Sequence, residues 1–289
     1  MTTIESTSNY STATNYGDEV TPQEGFSLSI YPRHPEGPYW EGLSGEMGKI
    51  RQLPPKYVLV KTHCGSRCVK CPPSEYVENI KQFTDACRNS TGRVAPDRKR
   101  QNYLYPTERV KKAIHLIRNP FHNFVARFHL VRKNYEYKNS TEWLEKHPNS
   151  QEGFRQWCKD LDNAYEDDEY QTFEYDLLKQ MRLSPCHGEV FKYVQWHNLA
   201  FAVTENYAIE TKVLMYEDFE ISFDDTLESL LKVLEFSRLD HPREFAARHD
   251  YSMYFSSSDK RRIRLLVEVI ATKKTWSHIQ HYFAKNLTR

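Results

Sequence analysis

The chain has 289 residues, 39% of them hydrophobic, so it is long enough to bury a substantial core. Its 40 basic residues nearly balance 39 acidic ones, which excludes a global field that would draw the protein onto nucleic acid or an anionic membrane. The sequence has no run of about eighteen apolar residues and no hydrophobic signal core, so it predicts neither a membrane anchor nor a signal peptide.

The N-terminal residues 1–25 are rich in Ser and Thr, with low hydrophobicity and no period. They predict a disordered leader. The main domain is predicted over 26–289, and the alternating residues 26–31 could form its first strand.

From Pro54 onward, short β-branched runs alternate with helical patterns, which predicts an α/β fold with a parallel sheet. The predicted strands cover 57–62, 113–117 and 212–216. The predicted helices cover 74–87, the stretch after Pro120, 189–207, the leucine-rich stretch 227–234, 258–272 and 274–283. The polar, acidic segment at about 134–188 predicts a helical insertion over one side of the domain rather than core.

Basic side chains follow two of the predicted strands. Because parallel strands end at one edge of a sheet, we expect Lys61 and His63 to share that edge with Arg118. The near-neutral pKa of histidine suits His63 to remove a proton, and Lys61 could stabilise developing negative charge. Arg118 and the helix N-terminus after it suit a phosphate. A strand-capping histidine and an ordinary ion pair are the alternative interpretations.

Cysteines and glycosylation sequons favour an oxidising compartment. The sequons begin at Asn9, Asn89, Asn139 and Asn286. Four of the six cysteines could form a structural zinc site, namely Cys64, Cys68, Cys71 and Cys87. We favour one or two disulfides that tie the loop after His63 to the following helix, and zinc stays open.

Four motifs occur in a fixed order along the chain. They are Lys61-Thr62-His63, Ile114-His115-Leu116-Ile117-Arg118-Asn119-Pro120, Trp196-His197-Asn198 and Tyr216-Glu217-Asp218. Together they resemble the sulfotransferase superfamily, nearest to its WSC-domain-type and carbohydrate-type members, over residues 54–283. The resemblance implies a three-layer parallel sheet flanked by helices, similar to the P-loop nucleotide hydrolases.

The resemblance also implies a reaction and a set of roles. A sulfuryl group would pass from 3′-phosphoadenosine 5′-phosphosulfate to a hydroxyl or amine, without a metal or covalent intermediate. His63 would be the base, Lys61 would contact the sulfuryl group or the bridging oxygen, and Arg118 would hold the 3′-phosphate, with Thr62 and Asn119 in the donor site. A small-molecule or glycan acceptor is expected, and no nucleic-acid partner.

Two departures from the family pattern shape the expectations. Ala126 stands where many relatives have a serine that contacts phosphate. The glycine loop that cradles the 5′-phosphosulfate has no match, and the stretch 42–49 has the wrong glycine spacing. The sequence therefore predicts an N-terminally incomplete domain, with a Golgi location if an upstream segment exists and a cytoplasmic one if the given start is genuine.

The missing loop also defines a second candidate, a catalytically inactive module that keeps a binding surface. A nucleotide kinase is disfavoured because no usable phosphate loop is present.

Overall fold

The computed structural model describes residues 4, 7–8, 13–14, 27–28, 39–40, 59–62, 64–65, 71–94, 100–104, 107–239 and 251–284. The described part is α/β and mostly helical, which confirms the predicted fold class at this level. The chain divides into two compact units that alternate along the sequence. The first comprises Met1–Gly65, Ile80–His115 and Thr204–Ala247, and the second comprises Ser66–Asn79, Leu116–Val203 and Arg248–Arg289.

The helices and strands are numbered in chain order. The strands are β1 (Ala13–Thr14), β2 (Ser27–Leu28), β3 (Tyr39–Trp40), β4 (Val60–Lys61), β5 (Asn89–Val94), β6 (Arg100–Leu104), β7 (Lys112–Ile117) and β8 (Glu210–Met215). The helices are α1 (Pro73–Tyr76), α2 (Ile80–Arg88), α3 (Pro120–Tyr137), α4 (Thr141–Lys146), α5 (Gln151–Asn163), α6 (Glu166–Thr172), α7 (Tyr175–Met181), α8 (His187–Asn206), α9 (Asp218–Ile221), α10 (Phe223–Leu234), α11 (Ser257–Ile270), α12 (Lys273–Ile279) and α13 (His281–Ala284).

The strands of the first unit pair two by two within the described residues. β1 pairs with β4 in parallel, while β2–β3 and β5–β6 are antiparallel. β7, whose last two residues belong to the second unit, is hydrogen-bonded to β8. β7 and β8 confirm the strands expected at 113–117 and 212–216. Of the strand expected at 57–62, Val60–Lys61 is seen, and residues 57–58 lie outside the described residues.

The core of the first unit is a leucine cluster on α10. Leu227, Leu230, Leu231 and Leu234 recur on one helix face, as the sequence predicted, and they pack with Leu214 of β8. Ile4, from the predicted disordered leader, is buried in the same cluster. Most of that leader, and the whole of 42–49, lies outside the described residues.

The core of the second unit is aromatic. The predicted stripe on α3 is buried, and its members are Phe121, Phe124, Val125, Phe128 and Val131. The ring of Phe128 packs against Phe154 and Trp157 of α5, with centroids 5.8 and 5.7 Å away. The expected insertion is helical, as predicted, but Phe154 and Trp157 show that it also supplies core residues.

The helix predicted over 74–87 is in fact two helices, because a side chain interrupts it. Gln195 of α8 donates its amide to the carbonyl of Tyr76 at 2.8 Å and accepts from the N–H of Glu78 at 3.0 Å. Val77, between them, has an extended ψ of 115°. These tertiary hydrogen bonds replace the helical ones that would have continued α1. None of the helices that the structure describes is long and apolar enough to cross a bilayer.

Candidate functional site

Arg118 and Asn119 connect β7 to α3 in the second unit. The side chain of Asn119 accepts a hydrogen bond from the N–H of Phe121 at 3.0 Å, and Pro120 occupies the first helical position. Both residues are typical of a helix start. The hydroxyl of Tyr193 donates to the carbonyl of Arg118 at 2.7 Å and holds the connection against α8. The half-buried Arg118 therefore lies beside the positive end of an 18-residue helix.

Lys61 and Thr62 belong to the first unit. Lys61 is exposed at the end of β4. The hydroxyl of Thr62 donates to the carbonyl of Cys87 at 3.0 Å, so it fastens the end of the strand to the end of α2. His63 lies outside the described residues. Arg118 and Asn119 belong to the second unit. The described residues of the predicted site therefore fall into two pairs, one in each unit.

The cysteines that the structure describes are oxidised. A disulfide joins Cys64 to Cys87, which confirms the predicted link between the loop after His63 and the following helix. Cys71 is also disulfide-bonded, and a further disulfide joins Cys158 of α5 to Cys186. Zinc needs thiolates, so the first disulfide removes two of the four proposed ligands. The disulfides indicate an oxidising environment of the secreted type. Among the described side chains, no group of three or more His, Cys, Asp or Glu could hold a metal ion.

The third motif, Trp196-His197-Asn198, fastens α8 to the turn between α11 and α12. The side chain of Asn198 donates to the carbonyl of Ile270 at 2.8 Å and accepts from the N–H of Thr272 at 2.9 Å, across the turn between α11 and α12. The neighbouring His197 is buried, with its ring 4.5 Å from that of Tyr193. The motif thus supports the helix face that carries Tyr193, the residue bound to the Arg118 carbonyl.

A buried histidine in the second unit was missed by the sequence analysis. His187, at the start of α8, lies between two carboxylates: its Nε2 is 2.7 Å from an oxygen of Glu169, and its Nδ1 is 3.3 Å from one of Asp162. Glu169 and His187 are each only 3% exposed. Arg182 approaches Glu169 to 3.5 Å. We call these four residues the His187 cluster.

Burial and charge shift two pKa values in the cluster. Burial raises the pKa of Asp162 to about 6, against the opposing effects of the His187 charge and of backbone N–H donors. Burial would lower the pKa of His187, but the hydrogen bond to Glu169 and the two carboxylate charges outweigh it and raise that pKa. The cluster therefore holds a proton more tightly when the protein is folded.

The backbone beside the cluster is strained. Cys186 has a φ of 55°, which is uncommon for a residue other than glycine. The disulfide to Cys158 fixes its side chain, and its N–H donates to Asp162 at 2.8 Å. Two long-range contacts therefore hold this conformation at the start of α8.

One side of the cluster opens into a cleft of about 720 Å³. Its walls are α5, the connection from Arg182 to His187, and the chain from Tyr254 to Arg262, all in the second unit. We call it the α5 cleft. Its volume falls in the range of small-molecule sites.

Little in the sequence signals the His187 cluster. Glu169 ends an acidic run whose composition indicates a solvated surface, and Asp162 and His187 are 25 positions apart. The adjacent Cys186 and His187 were the only local hint, since a disulfide fixes the position of its neighbours.

The fold and the oxidised cysteines together define an α/β protein of an oxidising compartment. No protein-family model, no curated protein and no solved structure matches this chain.

Proposed function

We propose that this protein is a sulfotransferase, which moves a sulfuryl group from 3′-phosphoadenosine 5′-phosphosulfate to a hydroxyl of a carbohydrate acceptor. The proposal includes the three-layer parallel sheet of that superfamily and a Golgi location. The disulfides support an oxidising compartment, of which the Golgi lumen is one.

The observation that carries the proposal is the connection at Arg118. A guanidinium beside the capped N-terminus of a long helix is suited to a phosphate, because the helix dipole and the cation act in the same direction. The hydrogen bond from Tyr193 to the Arg118 carbonyl fixes the connection, so little conformational entropy is lost when an anion binds.

The proposed reaction is an in-line displacement at sulfur. The acceptor oxygen forms a bond to sulfur and gives its proton to His63. The bond between sulfur and the bridging oxygen breaks, and 3′-phosphoadenosine 5′-phosphate leaves with the electron pair. Lys61 stabilises the charge that builds on the bridging oxygen, and Arg118 holds the 3′-phosphate, so positioning and electrostatics supply the rate.

Two measurements test the proposal separately. Calorimetry with 3′-phosphoadenosine 5′-phosphate measures donor-site binding, and radiolabelled sulfate measures transfer to a panel of glycans. Arg118→Ala is expected to weaken nucleotide binding about thirty-fold, the effect of losing a charged hydrogen bond. Arg261→Ala, which removes an exposed arginine of α11, is the control and is expected to change nothing.

His63→Ala is expected to lower transfer about a hundred-fold or more while nucleotide binding stays. Full transfer by His63→Ala would remove that residue from the mechanism. Nucleotide binding that is unaffected by Arg118→Ala would remove the observation on which the proposal rests.

A second candidate is a binding module without catalysis. It is favoured by the hydrogen bonds that already engage two proposed donor-site side chains: Thr62 donates to Cys87, and Asn119 caps α3. The sequence also lacks the glycine loop for the 5′-phosphosulfate. This candidate predicts glycan binding without any transfer under conditions in which the donor is stable, and measurable turnover excludes it.

A further inference from the structure

The α5 cleft contains more positive charge than its own carboxylates neutralise. Arg182 pairs with Glu166 at 2.8 Å, and Arg155 lies 4.0 Å from Asp259. Lys159 and Arg262 also line the cleft, and neither has an ion-pair partner among the residues that the structure describes. Both side chains are exposed, so their charges are available to a ligand.

The cleft also presents hydrogen-bond acceptors and an aromatic surface. Asp162 and Asp259 carry carboxylates that can accept hydrogen bonds from hydroxyl groups, and the ring of Tyr254 lines the cleft half-buried. Tyr254 is held edge-on to Phe154, with ring centroids 5.6 Å apart, which fixes its orientation. Sugar rings stack on such faces, while their hydroxyls bind carboxylates.

A ligand that uses all of these groups must carry both hydroxyl donors and anionic substituents. We propose that the α5 cleft binds an acidic oligosaccharide, with its sulfate or carboxylate groups on Lys159 and Arg262 and its hydroxyls on Asp162 and Asp259. The disulfide between Cys158 and Cys186 joins two walls of the cleft and organises it before the ligand arrives.

The start of α11 does not itself offer an anion site, so the anionic groups of a ligand are assigned to the side chains of Lys159 and Arg262. Ser256 caps the helix, and its hydroxyl and N–H both bind the carboxylate of Asp259, at 2.7 and 2.9 Å. A phosphate at this N-terminus would meet the Asp259 charge where other helices present bare amides. Hydroxyl donors meet no such repulsion.

This assignment rests on the proposed function in one respect only: it would make the acceptor an acidic glycan. The test measures glycan binding in the absence of the donor. A cleft that binds no glycan would therefore be distinguished from a protein that transfers no sulfuryl group, because transfer is tested by nucleotide binding and turnover.

The experiment compares three tetrasaccharide probes by calorimetry on the full, oxidised chain. They are a sulfated chondroitin tetrasaccharide, its unsulfated uronate-bearing counterpart and a neutral chitotetraose. The proposal expects the sulfated or the uronate probe to bind and the neutral one not to bind. The two acidic probes tell whether sulfate or carboxylate is the group recognised.

The double variant Lys159→Gln with Arg262→Gln is expected to weaken binding of the acidic probe about ten-fold or more, because two exposed, solvent-screened cations are lost. The matched control, Lys179→Gln with Arg261→Gln, removes the same net charge from exposed positions of α7 and α11 that do not line the cleft. It is expected to keep the wild-type affinity. Circular dichroism checks that both variants fold.

Four outcomes overturn the proposal. They are binding of no acidic probe, equal weakening in both double variants, equal binding of the neutral probe, and full displacement of the bound probe by a poly-glutamate peptide at equal charge concentration. The last outcome would assign the cleft to acidic chains in general.

Discussion

The Arg118 connection and the His187 cluster are both charged sites at helix starts in the second unit, but they are built differently. The connection is made by consecutive residues, Arg118 to Pro120, and one distant hydrogen bond from Tyr193 secures it. The His187 cluster draws on α5, α6 and the start of α8, with a disulfide and two carboxylates converging on one turn.

This difference predicts how much stability each site loses when a single residue is replaced. A locally encoded site loses stability in small steps, because each contact contributes about 1 kcal/mol. A site assembled by long-range contacts depends on buried groups whose removal leaves strain or unpaired charge, so single changes cost several times more. The disulfide, pH and cap predictions below test this contrast, and the first prediction tests the packing of α5, the helix that carries Asp162.

The largest effect is expected from Gly153→Ala in the first turn of α5. An added Cβ would overlap the carbonyl oxygen of Pro148 and lie 2.7 Å from its nitrogen, and backbone atoms cannot move aside. We expect a loss of about 4 kcal/mol or more in the free energy of unfolding, measured in urea.

Gly188→Ala, in the first turn of α8, is the matched control. Its Cβ would meet only the hydroxyl of Tyr76, at 3.8 Å. We expect no loss and a gain of up to about 1 kcal/mol, because alanine favours helix. Equal losses in the two variants would contradict the packing described around α5.

The second effect comes from the disulfide beside the cluster. Cys158 and Cys186 are separated by 28 positions, so replacing both with serine is expected to cost about 3.6 kcal/mol through the entropy of the unfolded chain. The Cys64–Cys87 disulfide, with a separation of 23, is the control and is expected to cost about 3.4 kcal/mol.

The two disulfide variants are expected to differ in the regions where amide hydrogen exchange becomes faster. Loss of Cys158–Cys186 is expected to speed exchange in α5 and at the start of α8, and loss of Cys64–Cys87 in α2. Identical exchange patterns would mean that neither bond protects its own surroundings.

The third prediction concerns the pH dependence of the cluster. Folding raises the pKa of His187 above its ordinary value of 6.5, so its contribution to stability is full below that pH and is lost as the pH rises through the folded pKa. His187→Gln is expected to cost on the order of 3 kcal/mol at pH 6 and progressively less at higher pH.

Asp162 also makes the folded state less stable as the pH rises, but over a lower pH interval than His187. Burial raises its pKa from 3.8 to about 6, so the folded state loses stability as the pH rises across that interval. Urea unfolding of the wild type and of His187→Gln between pH 4 and 9 checks both signs. A difference between the two proteins that is constant across this range would disprove the titration of His187.

The smallest effect is expected at the Arg118 connection. Asn119→Ala removes the cap of α3 and is expected to cost about 1 kcal/mol. Asn119→Ser keeps an acceptor and is expected to recover most of that loss. A loss as large as that from Gly153→Ala would show that the connection depends on more than its local contacts.

The sequence predicted the elements that repeat with a regular period. The apolar stripe on α3, the leucines of α10 and the strand at 113–117 were visible because their spacing matches a helix face or a strand. The break between α1 and α2 was missed, since it depends on Gln195, more than a hundred positions away. The acidic composition around Glu169 predicted a surface position, but this residue is buried against His187.

The amino-acid order alone determined the helix start after Arg118, because Asn119 and Pro120 act within one turn of the chain. It also favoured a disulfide between the loop after His63 and the next helix over a zinc site, and the structure supplied the pairing of Cys64 with Cys87. Only the tertiary structure decided the His187 cluster and the α5 cleft. Their charges come from separate helices, and a carboxylate becomes buried and shifts its pKa only after the chain has brought its partners together.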